Sequence, residues 1–203
     1  MLDNEKARTS LSRVITPIAQ RLVSWGITPN TVTVFGALLS ITVIFIFIPT
    51  GQLLVAAVLY GLCGLSDLLD GTMARITSTT SSWGAFLDST LDRLVDASLL
   101  IALIIYFNRQ DSTHTVEMVA CFVSLVSGQA ISYIRARAEA LGVSASVGIA
   151  ERAERSLIIW LALLVTGLGV DILKASTLVL AVVSVVTVFQ RVIHVRTQLK
   201  SVA

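Results

Sequence analysis

Six apolar runs, a low charged fraction and the absence of in–out alternation point to an all-α integral membrane protein. Charged residues make up 14% of the chain and hydrophobic residues 55%, with mean hydropathy +0.84. Soluble domains carry about 25% charged residues. Barrel strands alternate with a period of two, whereas these runs are continuous and few contain Pro. The expected architecture is six transmembrane helices preceded by an N-terminal amphipathic helix at the membrane interface. No linker or low-complexity stretch marks a second domain, so residues 1–203 are read as one. The net charge of +2 is small, and no nucleic-acid partner is expected. Cys63 and Cys121 fall inside apolar segments and read as buried free thiols.

The polar start MLDNEKARTSLSR carries no cleavable signal pattern. Residues 4–24 read as the amphipathic helix. Leu11, Val14, Ile15, Ile18 and Leu22 fall at helical spacing, and Lys6, Arg8, Arg13 and Arg21 keep to polar positions. This suits an anionic membrane surface, and equally an ordinary packing helix. Pro17 is expected to kink it. In Gly26-Ile27-Thr28-Pro29-Asn30-Thr31, Thr28 or Asn30 can cap a helix with Pro in its first turn. The six spans then run over about 31–49, 53–76, 83–107, 115–139, 154–171 and 175–195.

An even number of spans puts both termini on one side. Arg and Lys choose that side. The N-terminus, the 76–82 and 140–153 loops and the C-terminus, with their flanks, hold nearly all of them. The opposite face holds only Arg109 and Lys174. Both termini are therefore expected in the cytoplasm of a bacterial cell, with the protein in its inner membrane.

The chemistry is concentrated between Asp67 and Asp92. Asp67 and Asp70 are spaced i,i+3, and Asp88 and Asp92 i,i+4, so each pair projects from one face of a helix. Carboxylates in apolar segments are costly and mark function by default. Arg75 and Arg93 can balance only part of this charge. Four hard oxygen ligands with no Cys or His suit Mg²⁺ or Mn²⁺, with Ca²⁺ as a further candidate, and are enough for two metals about 3.5–4 Å apart. Gly71, Ala74 and Gly84 let a ligand approach the backbone, or serve close helix packing. Arg75 offers a planar partner for phosphate. Asp96 continues the stripe of Asp88 and Asp92 by one turn and reads as a support behind the metal ligands or a partner for a buried polar group, with a direct metal ligand as the lesser alternative.

The pattern Asp67-x2-Asp70-Gly71-x2-Ala74-Arg75-x8-Gly84-x3-Asp88-x3-Asp92 resembles in full the signature of the CDP-alcohol phosphotransferase family. Gly26-Ile27-Thr28-Pro29-Asn30 is similar to the start of that family's first span. The resemblance implies that Asp67, Asp70 and Asp88 hold one metal and that Asp67, Asp88 and Asp92 contact a second. It implies Asp92 as the general base. It also implies a CDP-diacylglycerol site lined by Pro29, Asn30, Thr31, Val32, Gly71, Ala74, Arg75 and Ser81. Members of the family form homodimers, and a homodimer is expected here.

The acceptor must be read elsewhere. Ser132-Tyr133-Ile134-Arg135-Ala136-Arg137-Ala138-Glu139 and Glu151-Arg152-Ala153-Glu154-Arg155 are rich in arginine, and Arg191 lies where the last span returns to the cytosol. Arg135, Arg152, Arg155 and Arg191 suit a phosphorylated acceptor; alternatively they anchor the topology. Both segments resemble the actinobacterial phosphatidylinositol phosphate synthases of the family. That resemblance implies CDP-diacylglycerol and 1D-myo-inositol 3-phosphate as substrates, with CMP released. A phosphatidylglycerophosphate synthase is the alternative within the family. A cation transporter is the alternative outside it, and the one-sided placement of the acids argues against that reading.

Overall fold

The computed structural model describes residues 15–110 and 114–202, and among these it contains helices and no strand. Residues 15–24 are helical (α1), continuous across Pro17, while residues 4–14 of the expected amphipathic helix lie outside the described set. Then follow α2 (Pro29–Phe47), α3 (Leu53–Cys63), α4 (Ser66–Ile76), α5 (Ser82–Gln110), α6 (Thr115–Ala140), α7 (Arg152–Gly167) and α8 (Leu173–Val202).

Among the described residues, four stretches are long and apolar enough to cross a bilayer: Pro29–Phe47, Leu53–Ile76, Thr115–Ala140 and Leu173–Lys200. α5 has the length, at 29 residues, but its first half carries Asp88, Asp92, Arg93 and Asp96. α7 has only 16 residues. Large side chains such as Phe35, Val126 and Phe189 stand exposed on these helices, each above 60%. Lipid tails tolerate such a surface and water does not. The chain is a multi-pass membrane protein. Cys63 and Cys121 are buried free thiols.

Where the sequence suggests one span over 53–76, the structure has two helices. The break falls at Gly64–Leu65, immediately before the acidic motif. Here Leu65 N–H bonds back to Leu62 O, three residues away, and Ser66 Oγ donates to Cys63 O at 2.6 Å. A hydroxyl that satisfies a backbone carbonyl competes with the helical ladder and bends it. α2 opens on Thr28, whose Oγ1 accepts the Thr31 N–H at 3.3 Å, with Pro29 at the first helical position.

The chain divides into two compact units. The first holds residues up to Val43 together with Leu59–Val95, and the second holds Ile44–Val58 together with the chain from Asp96 onward. In the first unit α2 lies against α4 at Gly36, where a Cβ would collide with the Ser66 side chain. In the second, α8 packs along α6 and α7. Gly167 meets the backbone of Leu54 so closely that no side chain fits between them.

Candidate active site

The first unit contains a cleft of about 210 Å³. α2 contributes Pro29, Asn30 and Thr33; α4 contributes Asp70, Gly71 and Ala74; the following turn contributes Thr79–Ser81; and α5 contributes Gly84, Ala85 and Asp88. The close approach of α2 at Gly36 to α4 at Ser66 sets this register. One turn back along α2 is Thr33 and one turn on along α4 is Asp70. Thr33 Oγ1 donates to Asp70 Oδ2 at 2.5 Å. Asp70 is 9% exposed, and the charges of Asp67 and Asp88 both act on it. Three of the four expected carboxylates therefore share one electrostatic neighbourhood.

The remaining residues divide. Asp92 is half-buried one turn beyond Asp88, while Asp67 is exposed. Neither lines the cleft, nor do Thr31, Val32 or Arg75. Arg75 is exposed and donates to Thr72 Oγ1 at 3.1 Å. Arg93 donates to the backbone oxygen of Ser89, its own helix. Ser81 caps α5, its Oγ accepting the Gly84 N–H at 3.1 Å. Thr33 was not among the expected site residues. Its signal is positional, since it stands one turn beyond Pro29 on the same face.

The glycines separate two readings of the motif. A Cβ built on Gly71 would meet nothing within 4 Å, so Gly71 is not there for helix packing; it opens onto the cleft. A Cβ on Gly84 would come within 3.2 Å of Asn30 Oδ1, so Gly84 permits a close approach to α2.

As the side chains stand, no three His, Cys, Asp or Glu among the described residues close around a single point as metal ligands. The donor set nevertheless fits a hard divalent cation. It is all oxygen, comes from successive helices, and packs like charges near a carboxylate that is almost wholly buried.

The second unit holds the arginines. Arg135 pairs with Glu139 at 3.0 Å on an exposed surface. Arg152 Nε donates to Asp96 Oδ2 at 3.2 Å, and Ser156 Oγ donates to Asp96 Oδ1 at 3.2 Å. Arg155 and Arg191 are 9% and 3% exposed. Arg155 Nη1 donates to Ala150 O at 3.4 Å; Arg191 donates to Val147 O at 2.9 Å and to Ile131 O at 3.0 Å. Arg155 feels the charges of Asp96, Arg191, Arg152 and Glu154, and Arg191 feels those of Glu151 and Arg135. Buried guanidiniums this close to one another repel, and an anion is the natural complement.

Residues 26–196 match the model of the CDP-alcohol phosphatidyltransferase family. The chain belongs to that family. It is accordingly a transferase of substituted phosphate groups in phospholipid biosynthesis, from a metal-dependent family. It is 39% identical to the phosphatidylinositol phosphate synthase of Streptomyces avermitilis, over 95% of this chain and 82% of that one. Two crystal structures of the Mycobacterium tuberculosis phosphatidylinositol phosphate synthase (PgsA1) superpose with TM-score 0.85 at 35% identity, covering 90% of this chain. One is in complex with manganese and citrate and covers 89% of that protein's chain. The other has CDP-DAG bound and covers 94%.

Proposed function

We propose that the chain is a phosphatidylinositol phosphate synthase. It transfers the phosphatidyl group of CDP-diacylglycerol to 1D-myo-inositol 3-phosphate and releases CMP. The observation that carries the acceptor is the buried pair Arg155 and Arg191, since a neutral acceptor such as serine or free inositol has no use for two desolvated guanidiniums. Relatives that share more than a third of their residues with this chain bear that name.

Asp67, Asp70, Asp88 and Asp92 would hold divalent metal, two Mg²⁺ per site with Mn²⁺ able to replace them. When bound, the metal neutralises the diphosphate and stabilises the departing CMP. The chain's own residues do the rest. Gly71 and Ala74 admit the diphosphate to the α4 backbone, while Pro29, Asn30 and Ser81 flank the nucleotide; Thr31, Val32 and Arg75 serve its outer edge. Asp92 accepts the proton of the attacking hydroxyl as that oxygen moves in line toward phosphorus. Thr33 holds Asp70 in one rotamer through its hydrogen bond. Arg155 and Arg191, with Arg152 and Arg135 adding positive charge, bind the acceptor's phosphate.

The same reading places six spans in the bacterial inner membrane, with α5 and α7 completing the four apolar ones. The N-terminal amphipathic helix lies on the cytoplasmic surface, where both termini and the active site are found, and the enzyme is a homodimer.

An acceptor screen tests the proposal. Full-length protein with Mg²⁺ and CDP-diacylglycerol is offered inositol 3-phosphate, glycerol 3-phosphate, serine or free inositol, and CMP is followed. Release is expected with inositol phosphate. Release with glycerol 3-phosphate alone would show that the arginines serve a smaller phosphorylated alcohol.

A further inference from the structure

Between α6 and α7 the chain has no helical structure from Val143 to Ala150, yet it is held tightly. Val143 and Ala145 are buried, in a cluster with Ala138, while Ser144 and Ser146 are exposed. Sides alternate with a period of two, as in a β-strand. No neighbouring strand exists among the described residues, and side chains of α8 take its place. Gln198 accepts the Ser144 N–H at 3.0 Å and donates to Ser144 O at 2.9 Å. Gln190 accepts the Ile149 N–H at 3.1 Å, and Thr187 Oγ1 accepts the Ala150 N–H at 3.3 Å. Positions 187, 190, 191 and 198 fall on one face of a helix. Gly148 has φ +139°, and a Cβ there would collide with Thr187 Cγ2, so glycine lets the backbone lie this near α8.

The same segment supplies two carbonyls that fix arginines. Val147 O accepts from Arg191 Nε, and Ala150 O from Arg155 Nη1. A guanidinium is planar, so fixing one or two of its N–H groups orients the others.

We infer that residues 143–150 form a strap that orients the Arg155 and Arg191 guanidiniums toward the acceptor's phosphate, with Thr187, Gln190 and Gln198 as the positioning residues that hold it. This rests on the acceptor reading above. A strap that served only to tidy the loop would affect stability alike for both substrates and would not touch acceptor affinity selectively.

The test uses full-length protein with Mg²⁺. Thr187→Val keeps the side chain's shape and removes the acceptor of the Ala150 N–H. It should raise the KM for inositol phosphate roughly fivefold, the worth of one hydrogen bond, and leave that for CDP-diacylglycerol unchanged. Amide exchange at Ala150 should quicken, and Thr187→Ser should restore both readouts. Gln198→Ala, which frees Ser144, is read in the same way and decides the matter if Thr187→Val does not fold. Faster exchange with no change in KM, or equal rises in both KM values, overturns the strap. Arg155→Ala is run alongside. If it leaves the acceptor KM untouched, the acceptor reading itself falls. If it raises that KM and the α8 variants do not, only the strap falls.

Discussion

The two halves of this molecule treat buried charge in opposite ways. In the first unit, carboxylates are gathered near a cleft, and Asp70 is fixed by the neutral hydroxyl of Thr33 and the backbone N–H of Gly71. In the second, buried guanidiniums are tied into the backbone. Arg191 bonds two carbonyls and Arg155 one, while the more exposed Arg152 pairs with the Asp96 carboxylate. Under the proposed function, the cluster of like charges beside an open glycine receives a cation and its ligand. Arginines bonded to carbonyls are held rigid, and under the proposed function they bind an anion. The first arrangement tolerates little change in its chemistry, and the second tolerates little change in its geometry.

The largest expected effect lies in the first unit. Asp92→Asn keeps shape and removes the proton acceptor, so turnover should fall by about 10²–10⁴, the usual worth of a general base. Binding of CDP-diacylglycerol, followed by titration, should survive. A variant that keeps its rate would transfer the base to another residue and would make the acid cleft a binding site only.

Next comes Arg191→Leu. It leaves Val147 O without its side-chain donor and takes from Ile131 O a second donor beyond the α6 ladder. Stability should drop by about 1–3 kcal/mol for the acceptor left unpaired at Val147, measured by thermal unfolding in detergent, and the KM for the acceptor should rise. Loss of activity without loss of stability would make the second unit resemble the first.

Gly36→Ala puts a methyl group against the Ser66 side chain. A cost of about 1–3 kcal/mol is expected from overpacking, with a fall in turnover as the Thr33–Asp70 contact is pulled apart. Gly71→Ala is the control. Its Cβ meets nothing, so the helix should be unharmed or steadier by about 0.5–1 kcal/mol, while the KM for CDP-diacylglycerol rises. Destabilisation by Gly71→Ala would return that residue to a packing role.

The smallest effect is expected at Glu139→Gln. Its pair with Arg135 is half exposed on both sides, and such pairs contribute about 0.3–0.5 kcal/mol. An unchanged melting temperature, with a changed acceptor KM, would show that Glu139 acts on substrate through Arg135.

The two units also differ in how plainly they could be read from the residues alone. The spacing of Asp67, Asp70, Asp88 and Asp92 is a helical pattern, and helical patterns are local, so they are visible before any fold is known. The membrane character of the chain was legible for the same reason. Thr33 was not, because its importance depends on Gly36 lying against Ser66 on another helix. The break at Gly64–Leu65 was also hidden, since the apolar run continues through it. Val143-Ser144-Ala145-Ser146-Val147 does alternate with a period of two, but five residues between apolar spans read as a loop.

By itself, then, the sequence determined the solvent, the helical character of the chain and the spacing of the two pairs of carboxylates. These follow from hydropathy and from a repeat of 3.6 residues. Only the tertiary structure decided what each charge touches. It showed Asp96 engaged by Arg152 and Ser156, Arg191 bonded to the carbonyls of two distant segments, and Gly71 open where Gly36 is closed. The physical reason is that a carbonyl and an empty volume leave no mark on residue identity. Every residue has the same backbone, and whether a glycine makes a gap or fills one depends on what the fold brings beside it.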